Sequence, residues 1–312
     1  RLWVAAADYR GEMSVSDEIL KRVSDAYRRI RNTARFLLGN LDGFTPDHAL
    51  APEDMLPLDR WAVDCAHQLQ EQVAQAYGDY QFLQVYQRVH NFCAFEMGAF
   101  YLDILKDRLY TTAADGRPRR SAQTAMYHVL EALVRWIAPV LSFTAEEIHQ
   151  HVPGERSDSI FFETWYEGLF EMDDAESERV RWQRIIQVRN EVSKAIETVR
   201  REGKAGSSLA VEVDLWLDGP LREALDSLGD ELRFVLLTSE ARVADAGAAP
   251  EDAQRMQLDE GELALIVTPS EHEKCVRCWH YRADLGSDPE HPEICGRCVE
   301  NVFGEGEVRR MA

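Results

Sequence analysis

The sequence predicts a mostly α chain: an antiparallel helical bundle, then a small α/β unit, then a C-terminal cysteine ribbon. Three observations carry this. Apolar residues recur at helical spacing through roughly the first half of the chain. From Leu209 to Leu217 the pattern switches to strict alternation, the period of a half-buried strand. Finally, Cys275 and Cys278 are followed after sixteen residues by Cys295 and Cys298. The 312 residues suffice for two or three domains, and 45% hydrophobic against 29% charged residues gives enough apolar material for a core. No apolar run is long enough to span a membrane.

The elements follow in order. Residues 1 to about 15 open on Arg1 and the apolar run Leu2–Ala7, which fits neither a secretory leader nor a free terminus, so the chain is expected to be a fragment preceded by more protein. Ser16, followed by Asp17 and Glu18, is a helix start: a capping hydroxyl, then acids at the positive end of the helix dipole. Ile19, Leu20, Val23, Tyr27, Ile30, Ala34, Leu37, Leu38 and Leu41 then share one face, and Gly39 and Gly43 suggest the stop. Further helices are predicted from Pro57 to about Tyr77, from Phe82 to Tyr110, and from Arg119 to about His151, the last kinked at Pro139. Residues 158–168 look like an irregular aromatic strap.

A fifth helix, highly charged, is predicted from Glu176 to about Glu202. The strand at 209–217, a short helix from Pro220, apolar segments at Phe234–Leu237 and Arg242–Ala244, and the run Leu263–Val267 complete the α/β unit. The expected domains are thus an exit segment (1–15), a bundle (16–168), a connecting unit (169–269) and a zinc module (270–312).

Two Cys-x-x-Cys pairs in a chain with no secretory signal read as metal ligands rather than disulfides, in a reducing, cytoplasmic compartment. Four thiolates complete the tetrahedral shell of zinc and leave no open position, so the expected ion is one structural Zn²⁺ on Cys275, Cys278, Cys295 and Cys298. Gly296 suits a tight turn in the second pair. His272, His280 and His291 are then bystanders, and Cys65 and Cys93 small buried hydrophobes. His90, Glu96 and His128 read as structural residues. No phosphate-cradling loop, nucleophile elbow or two-histidine metal site is present.

The net charge of −20 argues against a nucleic-acid partner, but its distribution weakens the argument. Residues 206–269 carry four basic and fourteen acidic side chains, whereas residues 1–60 carry nine and ten. Between Lys21 and Arg35 six cations (Lys21, Arg22, Arg28, Arg29, Arg31 and Arg35) face only Asp25, all opposite the apolar face. They are either a solvated surface or a phosphate-binding one, as is the smaller cluster Arg117, Arg119 and Arg120. Lys274, Arg277 and Arg297 either balance the negative thiolate cluster or meet phosphates. Trp279, directly after a knuckle cysteine, either packs into the module or presents its ring to an unstacked base.

These residues also carry a resemblance. Leu2-Trp3-Val4 through Asp8-Tyr9, Val15-Ser16-Asp17-Glu18-Ile19-Leu20, the run Tyr27–Leu38, Leu58-Asp59-Arg60-Trp61, Phe100-Tyr101-Leu102-Asp103 with Lys106-Asp107-Arg108, and the knuckle Cys275–Tyr281 closely resemble the bacterial isoleucyl-tRNA synthetase family. The resemblance spans the chain and implies a class I synthetase anticodon-binding bundle and a terminal zinc ribbon set against the anticodon stem-loop of isoleucine tRNA. It implies the zinc role for the four cysteines and RNA contacts for Arg277 and Trp279, with Arg28, Arg31 and Arg35 as candidate phosphate contacts. ATP and Mg²⁺ would serve an upstream catalytic domain marked by HIGH and KMSKS motifs, both absent here, so this piece alone would be inactive and the full-length enzyme monomeric. The competing readings are a DNA-repair glycosylase with a similar ribbon, and a non-catalytic zinc scaffold.

Overall fold

The computed structural model describes residues 1–312 as two compact units, Arg1–Leu105 with Arg119–Met172, and Lys106–Pro118 with Asp173–Ala312. The α/β segment and the cysteine module fall into one unit, and that unit also takes in residues 106–118, which end one helix and begin the next. The sequence pattern predicts these as separate consecutive segments.

In the first unit a short helix, α1 (Leu2–Ala5), precedes α2 (Asp17–Asn40). The Ser16 hydroxyl accepts from the Ile19 N–H at 3.2 Å, the cap that the sequence anticipates. Ala26, Ile30, Thr33, Ala34 and Leu37 are buried, and Ile30 and Leu37 each contribute roughly 1.5–3 kcal/mol of hydrophobic stabilisation. The first turn departs from the expected stripe, for Leu20 is 44% exposed.

Next come α3 (Pro57–Gly78) and α4 (Phe82–Phe92). The predicted third helix does not continue regularly: Cys93–Tyr101 is a π-helical segment, followed by α5 (Leu102–Thr111). Gly98 permits the wider turn, since a β-carbon there would lie 2.9 Å from the Cys93 carbonyl oxygen. The predicted fourth helix is broken rather than kinked, into α6 (Arg117–Ile137) and α7 (Ser142–His149). Pro139 brings no N–H to the helix ladder, and the Val140 and Leu141 amides turn back onto the Ile137 carbonyl. The strap holds one helical turn, Ile160–Phe162.

In the second unit α8 (Ala175–Arg201) buries Trp182, Ile185, Val188, Val192 and Ile196. Strand β1 (Val211–Trp216) leads through α9 (Gly219–Asp226) and α10 (Leu232–Leu236) to β2 (Glu240–Ala244), which pairs parallel to it. Strands β3 (Gln254–Leu258) and β4 (Gly261–Pro269) form a hairpin, giving the order β2-β1-β4-β3. Val211, Val213 and Leu215 of β1 are fully buried and alternate with half-buried neighbours, as the sequence pattern requires. The final helix is α11 (Gly296–Phe303).

Candidate metal centre and nucleic-acid interface

The four terminal cysteines converge. Their sulfurs all lie within 4.8 Å of one another and all four residues are buried. Cys275 Sγ stands 3.8 Å from Cys298 Sγ, and Cys278 Sγ stands 3.7 Å from Cys295 Sγ. A tetrahedron built on metal–sulfur bonds of about 2.3 Å has edges of about 3.8 Å, so the donor set and its spacing fit one zinc ion. The same separations are far too long for a disulfide, whose sulfurs stand about 2.05 Å apart.

Local backbone chemistry makes this geometry. In the first knuckle the Trp279 N–H donates to the Cys275 carbonyl and the Cys275 N–H to the His280 carbonyl, both at 2.9 Å, which turns Cys275 and Cys278 toward one point. The second pair is not the mirror of the first. Cys295 precedes α11 and Cys298 lies in its first turn, where the helix dipole favours a thiolate. Gly296 is consequently the first residue of a helix rather than part of the tight turn expected for the second pair. Its small size serves a close approach instead: a β-carbon there would meet Asp284 Oδ2 at 3.0 Å, the atom that accepts the Gly296 N–H.

The basic residues around the cluster divide. Arg297 is buried and donates to both Asp107 carboxylate oxygens at 2.7 and 2.8 Å, and it also pairs with Glu307. Arg309 reaches the same Asp107 at 2.7 Å and lies over the Phe234 ring, 3.4 Å from its centroid. Burial pushes Asp107 upward, but Arg297 and then Arg309 outweigh it and hold its carboxyl well below the usual carboxylate range. Burial likewise disfavours the Arg297 charge, yet Asp107 and Glu307 hold its pKa well above the ordinary value. Arg297 therefore belongs to the interior of the unit. Arg277 donates to the Thr111 carbonyl at 2.6 Å and lies 3.8 Å from Cys298 Sγ, a geometry that favours its charge-balancing reading over contact with phosphate.

Trp279 shows the opposite behaviour. Its side chain is 60% exposed, its backbone is left-handed at φ +66°, and the Lys274 ammonium lies 5.0 Å from its ring centroid. The left-handed backbone, a conformation costing roughly 1–3 kcal/mol, belongs to the knuckle turn closed by the Trp279 N–H on the Cys275 carbonyl, and it leaves the ring outward rather than packed into the module. His280 is buried, with Nδ1 3.2 Å from the Cys278 carbonyl and 3.8 Å from Asp107. His291 stacks on Phe303 with centroids 3.9 Å apart. Neither joins the sulfur cluster.

On the first unit Arg28 pairs with Asp25, Arg31 lies 3.4 Å from Glu147, and Arg35 is exposed. Exposed pairs of this kind contribute little to stability and leave the guanidiniums open to a stronger anion. Cys93 is buried and its thiol is pushed up to about 12 by desolvation, consistent with an inert packing residue; Cys65 is half-buried. The Asp107–Arg297–Arg309 cluster escaped the sequence reading. Its one visible trace was Lys106-Asp107-Arg108, which carried only resemblance.

The family described as the anticodon-binding domain of tRNA ligase matches residues 59–215, and a zinc finger found in FPG and IleRS matches residues 273–301. The chain belongs to the anticodon-binding domain family of tRNA ligases. Over its whole length it is similar to isoleucine–tRNA ligases: 59% identical to that of Thioalkalivibrio sulfidiphilus, 57% to that of Alkalilimnicola ehrlichii and 59% to that of Nitrosococcus oceani. The chain spans about a third of the length of these relatives, 33–34% of each. The glycosylase reading is not favoured, because the anticodon-binding match covers the helical region that such an enzyme would not share. No helix is long and apolar enough to cross a membrane.

Proposed function

We propose that this chain is the tRNA-binding C-terminal part of an isoleucine–tRNA ligase, reading the anticodon stem-loop of isoleucine tRNA for a catalytic domain elsewhere in the parent enzyme. The observation that carries the reading is the outward Trp279, 60% exposed beside a buried four-thiol cluster. Anticodon-loop bases are unstacked, so a rigid exposed ring can stack on one and neighbouring polar groups can read its edge. Cys275, Cys278, Cys295 and Cys298 would hold one structural Zn²⁺, which supplies cross-linking of the module and no bond-making chemistry. Arg28, Arg31 and Arg35 would neutralise phosphates, the term that gives most protein–RNA affinity its salt dependence.

In the parent enzyme, isoleucine would be activated with ATP and Mg²⁺ and esterified to the tRNA 3′ end, in the cytoplasm and by a monomer. This chain contributes positioning. Its test is twofold: the purified chain should carry one equivalent of zinc and bind isoleucine tRNA with an affinity that falls as salt rises, while giving no isoleucine-dependent ATP–pyrophosphate exchange. A metal-free chain that ignores the tRNA in dilute buffer, or exchange by the chain alone, would overturn the proposal.

A further inference from the structure

The first residue of α7 but one, Phe143, has 87% of its surface exposed. A phenylalanine that exposed touches almost nothing, so both faces of its ring are accessible. Its surroundings are specific. Helix α7 runs beside the basic helix α2: the Tyr27 hydroxyl and Thr144 Oγ1 are 3.0 Å apart, and one turn further along both helices Arg31 lies 3.4 Å from Glu147. Phe143 and Glu147 stand four residues apart on one face of α7. The ring therefore projects beside the flank of α2 that carries Arg28, Arg31 and Arg35, where Asp25 pairs with Arg28 and Glu147 lies against Arg31. The turn Ile160–Phe162 is tied to α7 by the Glu146 carboxylate, which accepts from Ser159 Oγ and the Ile160 N–H, and it adds two rings, Phe161 and Phe162, 60% and 75% exposed.

Resting on the proposed function, we infer that Phe143 is a stacking platform for an unpaired base of the bound RNA, set within the phosphate-contacting face of α2. Charge complementarity selects this occupant. A protein-binding patch buries its rings among apolar neighbours, whereas the α2 side chain that reaches the Phe143 face of α7 is a guanidinium, Arg31 at Glu147, with Arg28 and Arg35 about one turn to either side. An aromatic ring interleaved with guanidiniums is the combination that holds single-stranded nucleic acid: the cations follow the backbone and the ring takes a base of any identity. A duplex offers no free base face, so the contribution of Phe143 is confined to looped RNA.

The experiment compares Phe143→Ala and Phe143→Trp with the unaltered chain, measuring binding to the isolated anticodon hairpin of isoleucine tRNA and to a fully paired RNA of equal length. The expected result is a loss of about tenfold in hairpin affinity for Phe143→Ala, retention by Phe143→Trp, and equal weak binding of the duplex by all three. Because the side chain is so exposed, neither substitution should change the thermal midpoint. Hairpin binding by Phe143→Ala equal to that of the unaltered chain would overturn the inference and leave the tRNA reading intact, assigning the ring to contact with another protein surface. An unaltered chain that does not prefer the hairpin to the duplex would defeat the underlying reading instead.

Discussion

Arg297 meets the carboxylate of Asp107 with two nitrogens, at 2.7 and 2.8 Å, across 190 positions of sequence. Arg297, the second of the two residues between Cys295 and Cys298, is thereby anchored to a helix that precedes the whole α/β segment. The metal module is held by this buried charge cluster as well as by its sulfurs.

Asp107→Asn should destabilise the second unit by about 3–5 kcal/mol, because it leaves Arg297 and Arg309 buried with only Glu307 to answer them. Urea denaturation followed through tryptophan fluorescence will measure this, and an unchanged midpoint would refute it. The pH dependence has a definite sign. Asp107 titrates below its ordinary value when folded, so its contribution is complete above about pH 4 and is lost as pH falls further toward the folded value.

Cys295→Ser should abolish stoichiometric zinc and unfold the knuckles while the bundle of the first unit keeps its helical signal. Metal content by atomic absorption and far-ultraviolet circular dichroism would test both halves. One bound equivalent in the variant would mean that the four buried sulfurs are not a single site.

Trp279→Ala should weaken binding of the anticodon hairpin by roughly 1–3 kcal/mol. Stability should be unaffected, since the ring is 60% exposed. A drop in thermal midpoint with unchanged RNA affinity would return the residue to a packing role.

His128 donates to or accepts from the Tyr166 hydroxyl at 2.7 Å and lies edge-on to Phe170. Burial lowers its pKa to about 4, against the slight opposing pull of Glu131. The folded state thus favours the neutral ring, so stability is full above the unfolded value near 6.5 and falls by roughly 1 kcal/mol per pH unit between there and about pH 4. Chemical denaturation of the chain and of His128→Gln across that window should show the variant losing less; parallel curves would contradict the assignment.

Much of the architecture was legible in the chain because its signals are local. The Ser16 cap, the stripe Ile30–Ala34–Leu37 and the alternation in β1 each reflect a repeat of a few residues, and the cysteine spacing reflects the size of one ion. What escaped depended on partners distant in sequence or on backbone chemistry that hydrophobicity does not report. Strand β3 is a mostly exposed edge strand, Gln254–Leu258, whose polar residues give no buried pattern. The π-helical turn at Cys93–Tyr101 preserves apolar composition while changing its phase. Asp107 carried no sign of its role, since the arginines that hold it lie 190 and 202 residues further on.

The placement of Lys106–Pro118 bears on how the molecule can be dissected. A deletion that keeps only Asp173–Ala312 looks like a clean excision along the sequence, yet it removes the carboxylate that neutralises two interior guanidiniums. Such a piece should dissolve poorly and hold its metal loosely. Grafting the 106–118 stretch back through a short tether is the engineering route to an autonomous, metal-retaining half.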